Sequence, residues 1–218
     1  MSTALFILLF LQNPVRSPAM EAKAAGVRAA QAKDYSRAAQ YFGEACRMEP
    51  TLKDVCYYQG RALYYSNRFE DALGPLKQSI EAGESQARAR STMAECLEAL
   101  GRAKDAEREY KFAAAEANPQ YKVRWAVFLF RQGRADEAVA PLREALKISP
   151  DDFEANLEMG RVLFEGGKLL PALPFLQTAL RAQPGSTQAH LLAAKIDQLL
   201  GKTGEAQQHL KAAQAPAP

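Results

Sequence analysis

Three cysteines, Cys46, Cys56 and Cys96, and two histidines, His190 and His209, are the side chains of this 218-residue chain best suited to hold a soft metal or act as a nucleophile. Their spacing supports neither role. An odd, sparse set of cysteines is not a disulfide framework, and with the histidines far away in sequence no zinc-type spacing arises. No Ser/His/acid or Cys/His set is identifiable, and no glycine-rich loop follows a strand to cradle phosphate. The acidic stretch from Asp105 to Glu109 reads as a solvated helix face rather than an acid/base pair. The expectation is a chain with no catalytic residues, cofactor, metal or small-molecule substrate, whose work is recognition. A net charge of +3, with 48% hydrophobic and 24% charged residues, describes an ordinary soluble folded protein and makes no case for nucleic acid or anionic lipid.

The elements that must position a recognition surface are written as a period. Ala126, Gly133, Ala138, Ala145 and Pro150 stand at intervals of seven, five, seven and five, and Gly160, Gly167, Ala172, Ala179 and Pro184 repeat them, as do Ala194, Gly201, Ala206, Ala213 and Pro218. The first small residue lies in an apolar-periodic segment, where a missing side chain lets a second helix cross close by, and the next mark, usually Gly, opens a tight turn. Two alanines seven apart share one face of the following helix, and proline stops it. Each unit is a helical hairpin.

This spacing within a period of about 34 residues resembles the tetratricopeptide repeat. The resemblance covers nearly all of the chain after the first twenty residues, in six repeats at about 19–52, 53–86, 87–118, 119–152, 153–186 and 187–218. It implies an all-α, right-handed superhelical solenoid of helix-turn-helix repeats forming one domain over 20–218. The first repeat has Lys33 where later ones carry Gly, and the second has Asn67 at the turn, Ser79 for the second alanine and Glu84 for the proline. Asn tolerates the left-handed conformation, so the turn is expected to survive. Pro75, Pro141 and Pro174 recur at nearly matched places in second helices, which argues for a tolerated bend.

The resemblance also implies that the first helix of each pair lines a concave groove. There the second repeat offers Tyr57, Tyr58, Arg61, Tyr64 and Tyr65, the fourth Arg124, Val127, Phe130 and Arg131, and the fifth Arg161 and Phe164. Tyr and Arg are enriched at interface hot spots, and the apolar run Trp125 to Phe130 makes its helix hydrophobic nearly all round. Trp125, Ala126 and Leu129 account for one packed face, leaving Val127 and Phe130 over. Two readings stay open: anchors for a partner peptide or helix, or rings that neighbouring repeats bury against each other. Glu95, Glu98, Glu158 and Glu165 make the groove mixed in sign. The carboxylate clamp of the best-understood peptide-binding subgroup is not expected, because the first repeat reads Lys23, Ala24 and Val27 without its asparagine.

Cys46 and Cys56 fall on antiparallel neighbouring helices. The favoured reading is that both are small packed apolar residues, with a bridge as the alternative open to an exported protein. Residues 1–19 read as a secretory leader or N-terminal membrane anchor: Ala4–Leu11 is apolar but short for a bilayer, and Ser17-Pro18-Ala19 offers small residues at signal-peptidase spacing. The whole reads as a non-enzymatic scaffold binding a protein or peptide of unknown identity, periplasmic or secreted, in a bacterial envelope. The alternatives are a membrane-tethered assembly factor of an envelope or secretion machine and a regulatory non-catalytic subunit of an enzyme complex.

Overall fold

The computed structural model describes residues 17–52, 54–83 and 86–214, and among them there are twelve α-helices and no strand. The chain divides into two compact units, the first ending at Ser85 and the second beginning at Gln86. The boundary follows the repeat whose marks are weakest, with Ser79 and Glu84 in place of Ala and Pro. The first unit holds α1 (Pro18–Gln31), α2 (Tyr35–Met48), α3 (Val55–Tyr65) and α4 (Phe69–Glu81). The second holds α5 (Gln86–Ala99), α6 (Ala103–Ala114), α7 (Pro119–Arg131), α8 (Ala135–Ile148), α9 (Phe153–Glu165), α10 (Leu169–Ala182), α11 (Thr187–Leu199) and α12 (Thr203–Gln214). These are six hairpins, two and four. Residues 1–16, which carry the expected leader, lie outside the described residues. Ser17 caps α1 by accepting from the Met20 N–H, Pro18 opens the helix and Ala19 is buried, so the residues read as a cleavage site form a helix start.

The turns explain why every hairpin closes alike. Gly101, Gly133, Gly167 and Gly201 have φ between 70° and 76°, and the same place is taken by Asn67 at 59° and Lys33 at 59°. A left-handed conformation costs an L-residue with a Cβ roughly 1–2 kcal/mol, and lysine lacks the short side chain that eases it for asparagine. Lys33→Gly is therefore expected to stabilise the first unit by about 0.5–1 kcal/mol in urea unfolding, less than the full strain because glycine also loosens the unfolded chain.

The crossing sites work by close approach. A Cβ on Gly60 would lie 2.5 Å from Leu76 Cγ, and one on Gly160 would lie 2.7 Å from Leu176 Cδ2, so α3 and α9 each meet a leucine of the partner helix at a bare backbone. Ala38, Ala45, Ala106, Ala113, Ala138, Ala145, Ala172 and Ala179 are wholly buried at the matching sites. Pro75, Pro141 and Pro174 stand inside α4, α8 and α10, which continue through them. In the second unit, first helices also touch one another, α5 with α7, α7 with α9 and α9 with α11. Alternate helices in contact lie on the inner side of a stack, and this fixes which faces can form a groove. The short interval between the third and fourth hairpins is taken up in the loop before Asn118, which caps α7, while the buried Lys122 reaches back to the Ala114 carbonyl at 2.6 Å.

Candidate functional site

Cys46 and Cys56 are joined in a disulfide, with Cα atoms 5.2 Å apart. This corrects the reading of both as packed thiols: the end of α2 and the start of α3 bring together two residues that spacing alone could not pair. Cys96 is free and buried, and burial, with Glu95 beside it, pushes its thiol up to about 12, which leaves no thiolate for chemistry at neutral pH. The two histidines meet across the last hairpin. Nε2 of His190 lies 2.9 Å from the Pro184 carbonyl, which can only accept, so Nδ1 of His190 is left to accept from Nδ1–H of His209, also at 2.9 Å. Nε2 of His209 then faces Asp197 at 3.8 Å. Burial and His190 hold His209 below the ordinary imidazole value against the pull of Asp197. The pair joins α11 to α12, and no group of three metal-ligating side chains occurs among the described residues.

In the first unit the aromatic residues expected to line a groove largely pack on one another. Tyr57 is 4% exposed, which takes it out of any accessible wall and corrects its assignment. Tyr58 is half-buried, its ring against Phe42 and Tyr57 and beneath Lys23. Tyr64 sits between Tyr65 and Phe69. Arg61 and Tyr65 remain exposed: Arg61 donates to the Tyr65 hydroxyl at 3.2 Å, and the Tyr65 ring also meets Tyr35 at 4.9 Å.

The second unit builds a more open face. Arg124 on α7 reaches across to α5, pairing with Glu95 and donating to Ser91 Oγ at 3.5 Å. Arg131 pairs with Glu98 at 3.5 Å, and Glu98 also accepts from the Tyr110 hydroxyl at 2.9 Å. Arg161 pairs with Glu158 on its own helix at 3.4 Å. Burial raises the carboxyls of Glu95 and Glu158 above their usual range, outweighing the arginines beside them. Val127, Phe130 and Phe164 lie half-buried on the same inner helices, and Lys195 of α11 stands over the Phe164 ring at 4.8 Å. Of the residues expected at the groove, this unit thus brings together Arg124, Val127, Phe130, Arg131, Arg161 and Phe164, while the tyrosine set belongs to the other unit.

Two residues on this face, and one buried behind it, were not anticipated. Leu191, 48% exposed, and Lys195 stand 34 residues after Leu157 and Arg161, so the period itself could have named them. Phe128 is the other omission: it is buried and stacks on Tyr110 at 5.1 Å, a contact set by α6 rather than by the inner face. The Trp125 indole N–H is buried without a hydrogen-bond partner.

Two models described as tetratricopeptide repeat match the chain, one over residues 57–122 and 100–153 and the other over 129–196. The human DnaJ homolog subfamily C member 7 is 28% identical over 183 residues, which is 80% of this chain but 31% of that protein's length. Among solved structures, PilW, described as a type IV pilus biogenesis factor, superposes with a TM-score of 0.76 at 17% identity, covering 91% of this chain and 93% of its own. YrrB, described as a TPR protein with an unusual peptide-binding site, gives 0.61 at 20% identity over 80% and 91%. At these identities the structural likeness is one of fold. The repeat models span the turn glycines, crossing sites and buried alanines described above from residue 57 to residue 196, and the chain belongs to the tetratricopeptide repeat family.

Proposed function

We propose that this protein is a non-enzymatic scaffold that holds a segment of a partner protein, peptide or helix, on the inner face of α5, α7, α9 and α11, and that it works outside the cytoplasm. The observation that carries the reading is the apolar surplus on that face. Val127 and Phe130 are only partly buried, Phe164 is partly buried against the core of α9, α10 and α11, and Leu191 and Leu199, at 48% and 62% exposure, extend the apolar surface along α11. A single exposed leucine needs no explanation, but rings and leucines following one another along stacked helices make a surface that association would cover. Around them Arg124 and Arg131 are already pinned by glutamates, so the face is shaped before a partner arrives. YrrB supports peptide recognition by this fold, and PilW, a type IV pilus biogenesis factor, supports the second reading, an assembly factor of an envelope machine.

Export is supported by the Cys46–Cys56 bridge, since disulfides persist in oxidising compartments, and by the apolar run Ala4–Leu11. No helix among the described residues is long and apolar enough to cross a membrane. A photoreactive phenylalanine analogue tests the groove in cells. Placed at Phe130 or Phe164 it should give a discrete cross-linked adduct in the envelope fraction, and placed at the exposed Phe112 of the second helix α6 it should not. Equal labelling from all three positions would mean that the inner face is no preferred surface.

A further inference from the structure

Glu158 breaks the pattern of the groove. It stands nine residues before the turn glycine Gly167, as Arg124 stands nine before Gly133. At the α5–α7 step Arg124 meets Glu95, which lies six residues before Gly101. At the α7–α9 step the residue in Glu95's register is Val127, six before Gly133, so the position that pairs with Arg124 one step earlier is uncharged for Glu158. The Glu158 side chain is 6% exposed; Oε1 has Arg161 at 3.4 Å, and Oε2 has no hydrogen-bond partner. Arg131 of α7, whose charge is felt at Glu158, is held by Glu98.

A buried carboxylate with one oxygen unserved is unfavourable, and since a carboxylate only accepts, what would satisfy it is a donor, most strongly a cationic one. The charge around it fits a cation as well. The stripe of α9 carries Glu154, Glu158 and Glu165 against the single Arg161, and Lys195 already lies over the Phe164 ring at 4.8 Å, so this rim receives an ammonium from within the chain.

We infer that the α7–α9 step of the groove contains a subsite for one lysine or arginine side chain of the partner segment, with Glu158 as its counter-ion and Val127, Phe130 and Phe164 beside its aliphatic stem. This rests on the groove reading above and specifies the partner's chemistry. Arg161, its side chain 35% exposed and tied to Glu158 by one contact, is the side chain whose movement admits the donor. The partner thus carries a basic residue flanked by apolar ones.

The test is selection of a random twelve-residue peptide display library on the full oxidised chain, with affinities of the selected peptides measured on wild type, Glu158→Gln, Glu158→Met and Phe130→Ala. The expected result is Lys or Arg enriched at one fixed position, with replacement of that residue by Gln and of Glu158 by Gln or Met each weakening binding about tenfold or more, and the combined change costing no more than either alone. Both Glu158 variants should melt no lower than wild type at pH 7.5, since each removes a buried charge, which separates lost binding from lost folding. Peptides that depend on Phe130 but not on Glu158 would leave the groove standing and overturn the subsite. Peptides indifferent to both, or none selected, would overturn the groove as well. Concentration-dependent dimerisation of the unliganded chain, abolished by Glu158→Gln in sedimentation velocity, would assign the face to a second copy and overturn the inference.

Discussion

Gly160→Val is expected to lower the stability of the second unit by about 3–5 kcal/mol and to melt the α9–α10 hairpin well below the rest. The residue sits in the middle of α9, where propensity alone favours replacing glycine by roughly 0.5–1 kcal/mol for alanine and less for a β-branched residue. Contact decides otherwise. The first added carbon would stand 2.7 Å from Leu176 Cδ2 and 2.8 Å from its Cγ, and valine adds two methyls beyond that carbon. Leu176 cannot turn away, because it is 1% exposed in a cluster with Leu157, Ala172, Ala179, Ala189, Ala193 and Ile196. Relief must come from moving α10, which also unseats the alanines that face α9 and α11. Overpacking commonly costs 1–3 kcal/mol, and displacing a whole helix adds the loss of its buried leucine, another 1.5–3 kcal/mol. Repeat proteins unfold in units coupled to their neighbours, so the damage should appear as an earlier, separate transition. The control is Gly74→Ala in α4, where nothing lies within 4 Å of the added carbon and the helix propensity gain stands alone. Circular dichroism melts compare the two; a Gly160→Val chain that melts like wild type would mean that the bare backbone at the crossing is not what sets hairpin spacing.

That contrast also explains which features could be read from the sequence. Turn and crossing marks are local: a positive φ or a missing Cβ is demanded by two or three residues of backbone, and glycine, alanine and proline answer it in plain letters. Even the departures followed the rule, with Asn67 and Lys33 both taking the left-handed turn. Side-chain direction on an inner helix is different. Tyr57 and Tyr58 are neighbours of one chemistry, yet a 100° step around α3 buries the first and leaves the second half-exposed. Nor does a repeat pattern state where stacked hairpins part into units, or that the register which gives Arg124 a glutamate partner gives Glu158 a position held by valine. That mismatch arises only when two copies of the register are laid side by side. Cys46 with Cys56 and His190 with His209 show the same limit, because the hairpin or loop between each pair sets their distance.

Reducing the Cys46–Cys56 bridge is expected to destabilise the first unit by roughly 2–3 kcal/mol and to leave the second unchanged. The bridge closes a loop with a sequence separation of 10, and loop entropy removed from the unfolded chain at that length is of this size. The loop it closes is one that needs holding: Asp54, two residues before Cys56, sits at φ 61°, a conformation costing an L-residue roughly 1–2 kcal/mol. A two-hairpin unit has little reserve, since small cores stabilise weakly and total domain stability is commonly about 5–15 kcal/mol. The loss should appear as a lower first transition in melts with reductant, reproduced by Cys46→Ala with Cys56→Ala, while Trp125 on α7 reports the second unit melting where it did before. Thiol counting ties the result to compartment. Of three cysteines, denatured protein taken without reductant should label once, at Cys96, and three times after reduction. Three labels without reductant, from protein recovered in the envelope fraction, would show the bridge to be absent where the chain works and would remove the main support for an exported scaffold.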